Sequence, residues 1–166
     1  MPKTESFDIS TGVDLQEVDN ALNQARKEIS TRFDFKNVVA EIEYDRAKAK
    51  INLHAADDYK LEAMWQVMMQ RFNARSVALK NLKRGDVEPA SGNTVRQEIT
   101  LTQSIDSDTA RKIVKFLKDA SYKKVQSQIQ GDEVRVSAPS RDELQTVIKD
   151  LKAQDWGIEL KFGNYR

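Results

Sequence analysis

The sequence predicts an α+β protein in which a strand–helix–strand–strand–helix–strand unit occurs twice in tandem. Each unit would be a four-stranded antiparallel sheet with two helices on one face. Three observations predict this. Four segments repeat apolar residues at helical spacing, with alternating apolar–polar segments between them at matching places in both halves. A capping or acidic residue precedes each helical segment. The alternating segments read as strands with one face buried and one face wet. This order is the split pattern of ferredoxin-like folds.

The first helix is predicted from Leu15, Val18, Leu22, Ala25 and Ile29, with Asp14 as N-cap and Glu17 three residues on. Leu61, Met64, Trp65, Met68 and Phe72 form a second stripe after Asp57-Asp58. Ala110, Ile113, Val114 and Leu117 form a third after Asp106-Ser107-Asp108. The fourth opens on a Ser140–Glu143 capping box and runs through Leu144, Val147, Ile148 and Leu151, with Gly157 suited to the left-handed turn that ends it. Strands are expected over Phe7–Ser10, Ala40–Asp45, Ala49–Ala55, Val77–Lys83, Arg96–Thr102, Val125–Gln130, Glu133–Val136 and Ile158–Phe162. Gly131-Asp132 supplies a two-residue hairpin turn between the sixth and seventh. Gly85–Thr94, with Pro89 and Ser91-Gly92-Asn93, reads as the connector, dividing the chain into residues 1–90 and 91–166.

Composition narrows the function classes. The chain has 166 residues, 39% apolar and 32% charged, a globular balance. Its 27 basic and 26 acidic residues leave a formal charge of +1, and splitting it at Val95 leaves both parts near neutral. Bulk phosphate attraction to long nucleic acid is therefore disfavoured, whereas a small anion needs only a local cluster. The lack of cysteine excludes disulfides, zinc–thiolate sites and thiol nucleophiles, and fits a reducing, cytoplasmic setting. Met1-Pro2-Lys3-Thr4-Glu5 leads into no apolar run, and no membrane span is expected.

Few motifs carry chemistry. His54, the single histidine, has no Ser and Asp placed for a triad, and no ligand spacing for a metal occurs. The expectation is a binding protein with no catalytic residues, no metal and no cofactor. The third strand of each half, Lys48–Ala55 and Glu133–Ser137, has no aromatic ring on which RNA bases could stack, unlike RNA-recognition modules. Ser30-Thr-Arg-Phe-Asp-Phe-Lys36 gathers what a purine nucleotide needs: rings to stack on, a carboxylate for guanine N–H donors, and cations for phosphate. The alternative is that Phe33 and Phe35 are core residues and the cations complement the helix dipole. Ser91-Gly92-Asn93 could aim backbone N–H groups at an anion, with Arg96 beside it, or be a plain linker. Arg135, in mid-strand, could reach a ligand or merely pair across strands. Arg71 and Arg75 lie one helical turn apart, a spacing also common near helix C-termini.

Phe7-Asp-Ile, Val13–Asn20, Ser30–Lys36, Glu88–Gln97 and Val125–Ser137, taken in order, resemble the bacterial YajQ family from about Ser6 to Arg166. Asn93 stands where the family usually has a second glycine, and the tail reads Asn164-Tyr-Arg rather than Asn-Phe-Arg. The resemblance implies a cytosolic nucleotide-binding protein, with cyclic di-GMP, GTP or ATP, transfer RNA and a transcription regulator among the partners of its members. It also implies paired ferredoxin-like domains that exchange their first strands, here residues 6–10 and 95–103. Joined to the motifs, it points to Asp8, Arg32, Phe33, Asp34, Phe35, Ser91, Gly92, Thr94, Arg96, Gln128 and Arg135 as nucleotide-binding residues. Arg32, Arg96 and Arg135 would meet phosphate or stack, Asp8 or Asp34 would read guanine, and Phe33 or Phe35 would stack. The leading expectation is a cyclic di-GMP-binding regulatory effector. RNA binding and protein adaptation are the alternatives.

Overall fold

A computed structural model describes residues 4–166; the first three residues of the N-terminal stretch lie outside it. Two compact units are present. One is Val13–Thr102; the other joins the N-terminal segment, through Gly12, to Gln103–Arg166.

Residues Val13–Thr102 hold helices α1 (Leu15–Thr31) and α2 (Asp58–Ala74) and strands β2 (Ala40–Asp45), β3 (Lys50–Ala55), β4 (Leu82–Ala90) and β5 (Thr94–Leu101), in the antiparallel order β2-β3-β5-β4. The Asp14 carboxylate accepts from the Gln16 and Glu17 N–H groups, and that of Asp57 accepts from Lys60. These contacts satisfy donors that a helix start leaves orphaned. Leu22, Met64, Met68 and Phe72 from the helices close over Ile51, Leu53 and Ile99 of the sheet. Arg71 pairs with Glu28 at 3.2 Å and Arg75 with Glu17 at 3.1 Å, so both arginines tie α2 to α1.

The other unit holds β1 (Glu5–Ser10), α3 (Ser107–Asp119), β6 (Gln126–Gln130), β7 (Glu133–Ala138), α4 (Arg141–Lys152) and β8 (Lys161–Gly163), in the antiparallel order β6-β7-β1-β8. Asp106 caps α3 and Ser140 caps α4. Phe7 and Ile9 of β1 are fully buried with Val134, Val136, Ile113 and Leu151. On β7 every second residue is buried, the mark of a sheet covered by helices on one face.

Several local expectations are corrected. Gly85–Thr94 is not a connector: β4 and β5 form a hairpin, with a bulge between Arg84 and Val87 and a three-residue loop, Ser91–Asn93. Pro89 is tolerated because β4 is an edge strand. The strand expected at Val77 begins at Leu82, because Leu79–Asn81 forms a 3₁₀ turn whose buried Asn81 side chain donates to the Thr102 carbonyl at 2.9 Å. Gly157 adopts a left-handed φ of 76°, but it lies beyond α4, which already ends at Lys152.

Candidate functional site

The Arg32–Lys36 segment folds into a corner within the Val13–Thr102 unit. Arg32 ends α1 in an extended conformation, and Phe33–Phe35 form a 3₁₀ turn closed by the Lys36 N–H on the Phe33 carbonyl. The turn sends the two rings opposite ways. Phe35 is 5% exposed and belongs to the core, whereas Phe33 is 89% exposed. Phe35 is therefore unable to stack on a base. Arg32 clasps the Asp34 carboxylate through Nε and Nη2 at 2.9 and 2.7 Å. This charge-assisted fork holds the Asp34 carboxyl below its ordinary value and raises that of Arg32. Lys60, from the first turn of α2, donates to the Asp34 backbone carbonyl. The Phe35 ring centroid lies 5.2 Å from the Arg32 guanidinium and 5.4 Å from the Lys60 ammonium. Tyr59, 78% exposed, lies 5.8 Å from that ammonium. The corner thus holds two exposed rings, an oriented guanidinium and an ammonium.

Tyr59 and Lys60 were missed in the sequence. Asp57-Asp58-Tyr59-Lys60 reads only as a helix start, and the packing of α2 beside α1 brings it to the turn.

Ser91, Gly92, Thr94 and Arg96 sit on the β4–β5 hairpin of the same unit. Gly92 and Asn93 adopt φ of 73° and 60°, a left-handed pair that Gly and Asn tolerate best. A Cβ at Gly92 would meet nothing, so the constraint there is conformational rather than steric. The Thr94 hydroxyl donates to the Ser91 carbonyl at 2.7 Å and lies 2.8 Å from His54 Nε2, fastening the loop to β3. Arg96 lies exposed between His54 and Glu88 in the strand register and makes no ion pair among the described residues.

Asp8, Gln128 and Arg135 belong to the other unit, where they form one cross-strand row. Gln128 stands opposite Arg135, Arg135 opposite Asp8, and Asp8 opposite Gly163. Arg135 donates through Nε to Asp8 Oδ1 at 2.9 Å and through Nη2 to Oδ2 at 3.3 Å, and Asn164 donates to Oδ2 at 2.6 Å. Asp8 is only 8% exposed, with both oxygens engaged. Its carboxylate thereby orients the Arg135 guanidinium.

The Arg135 hydrogen bond, opposed by burial and aided by Asn164, holds the Asp8 carboxyl below its ordinary value. A depressed carboxyl stabilises the fold above its unfolded-state titration, and that stability is lost as pH falls through the lower, folded value. The melting temperature is therefore expected to fall less steeply below about pH 5 in Asp8→Asn than in the unmodified chain, since the variant has no charge to lose there. Parallel slopes in a pH-resolved melting series would refute this.

A cavity of about 300 Å³ in that unit is lined by Glu5, Ser6, Arg141, Leu144, Gln145 and Tyr165, none of them among the expected residues. Among the described residues there is no cluster of three His, Asp or Glu able to hold a metal, and no helix long and apolar enough to cross a membrane.

The model of the YajQ-like nucleotide-binding protein family matches residues 5–166. A protein of Koribacter versatilis named as a nucleotide-binding protein is 49% identical, covering 97% of this chain and 96% of its own. Proteins of the same name from Desulfitobacterium hafniense and Chloroherpeton thalassium are 48% and 43% identical, with full coverage of both chains in each case. Matched along almost its whole length by both kinds of comparison, the chain belongs to the YajQ-like nucleotide-binding protein family.

Proposed function

We propose that this protein binds a guanine nucleotide, cyclic di-GMP foremost, and works as a regulatory effector rather than a catalyst. The names of its relatives support nucleotide binding. The observation that carries the reading is the Phe33 corner: a ring 89% exposed beside a guanidinium already oriented by Asp34. A ring exposed to this degree leaves a face open on which a base could stack. Arg32 still has N–H donors left for phosphate after clasping Asp34. The second exposed ring, Tyr59, and the ammonium of Lys60 suit a ligand with two bases and two phosphates. Arg96, with no ion pair among the described residues, is a second phosphate contact, steadied by the Ser91–Thr94 loop. A transcription regulator as downstream partner belongs to the same reading.

Isothermal titration with cyclic di-GMP, GTP and ATP tests this. Micromolar binding of cyclic di-GMP is expected, weakened about tenfold or more in Arg32→Ala, since charge-assisted contacts contribute roughly 1.5–3 kcal/mol. No heat with any of the three nucleotides at millimolar concentration would reject the proposal.

The exposed rings also favour a second reading, single-stranded segments of transfer RNA stacking on Phe33 and Tyr59. That reading requires affinity to fall steeply with salt. The near-neutral charge of the chain weighs against it.

A further inference from the structure

The edge strands of the two sheets are β2, β4, β6 and β8. Edge strands expose unpaired backbone groups and are commonly guarded by charge, proline, a bulge or shortness. β2 carries Glu41, Glu43 and Asp45. β4 carries Pro89 and a bulge. β8 has three residues. β6 has none of these guards. Gln126-Ser-Gln-Ile-Gln130 holds no charge, proline or glycine and pairs with β7 in unbroken register. All of it except Ser127 is exposed, including Ile129 at 43%, in a chain that is 32% charged.

We propose that β6 is a homodimerisation edge, on which a second copy of this chain pairs its own β6 antiparallel about Gln128. The strand complements itself in that arrangement. Gln126 of one copy faces Gln130 of the other, Gln128 faces Gln128, and Ser127 faces Ile129. Glutamine amides both donate and accept, so the three facing pairs form a ladder on the face away from the helices. Gly131 and Asp132 form the turn that carries the chain back into β7, so the self-paired edge spans Gln126–Gln130 alone. Antiparallel pairing keeps paired side chains on one face. The Gln128–Arg135–Asp8 row therefore continues into the second copy, and the helices of both copies lie on the opposite face.

A pair of five-residue strands is smaller than a standard stable interface, so the dimer is weak and exchanging, with dissociation in the micromolar-to-millimolar range. The absence of cysteine makes a direct test clean. In full-length Gln128→Cys the single thiol sits on the two-fold axis, and a disulfide needs Cα atoms within about 4.4–6.8 Å. Under mild oxidation it is expected to form covalent dimer at least about tenfold faster than Glu88→Cys on β4, because the paired edge raises the local thiol concentration. Sedimentation should show dimer growing with concentration in the unmodified chain. Gln128→Lys, which opposes two like charges, should weaken it by about tenfold. A chain that stays monomeric at about 1 mM, the weak end of measurable association, would overturn the proposal. So would Gln128→Cys cross-linking no faster than the β4 control, or a dimer indifferent to Gln128→Lys, which would assign association to another surface.

Discussion

Deletion of residues 1–12 is expected to unfold residues 103–166 while Val13–Thr102 keeps its structure. β1 is an interior strand, hydrogen-bonded to β7 on one side and β8 on the other. Without it, β8 loses its only strand partner among the described residues and β7 becomes an edge. Phe7 and Ile9, both fully buried, leave the core formed with Val134, Val136, Ile113 and Leu151. Truncating one such phenylalanine to alanine costs about 3–5 kcal/mol, against a total stability of about 5–15 kcal/mol for a domain. Losing both side chains, two ladders and the Asp8–Arg135 pair exceeds what a unit of this size holds in reserve. Amide hydrogen exchange on the truncated chain should show residues 103–166 unprotected and the buried amides of α1, α2 and β3 still slow. Persistent protection over α3, α4 and β7 would show that β1 is dispensable and the account of this core wrong.

Phe33 and Phe35 are expected to give opposite results on substitution. Phe35→Ala removes a ring that is 5% exposed and packed with the α1–α2 core, and should cost about 3–5 kcal/mol in chemical denaturation. It also removes the surface against which Arg32 and Lys60 lie. Phe33→Ala removes a ring 89% exposed and should change stability by no more than about 0.5 kcal/mol. Its effect should appear in nucleotide titration, where losing one stacked base lowers affinity about tenfold or more. If Phe33→Ala destabilises the fold as much as Phe35→Ala, the exposed ring is structural. If it leaves nucleotide affinity unchanged, the base stacks elsewhere.

Much of the candidate site was visible as composition, but its roles were not. The pair of phenylalanines two residues apart reads alike in sequence. A single 3₁₀ turn makes one a core residue and the other a surface ring. Asp8 and Arg135 stand 127 positions apart, and nothing in either motif announces that they clasp. Their union makes Asp8 the group that orients the Arg135 guanidinium. The Gly85–Thr94 stretch carries the same turn residues whether it links domains or closes a hairpin, and only the β4–β5 register distinguishes the two.

Local chemistry determined the helices: the stripes from Leu15, Leu61, Ala110 and Leu144, and the caps at Asp14, Asp57, Asp106 and Ser140, specify where each begins and which face it buries. The same period-two and period-3.6 patterns specify α+β layering, because neither a helix stripe nor a half-apolar strand can remain unpaired in water. Tertiary structure alone decided which sheet each strand joins. Backbone hydrogen bonds are the same for every sequence, so an alternating strand such as β1 or β5 states which of its faces is wet but not which neighbour it takes. That choice is made by the fit of Phe7 and Ile9, or of Ile99 and Leu101, into one core as a whole.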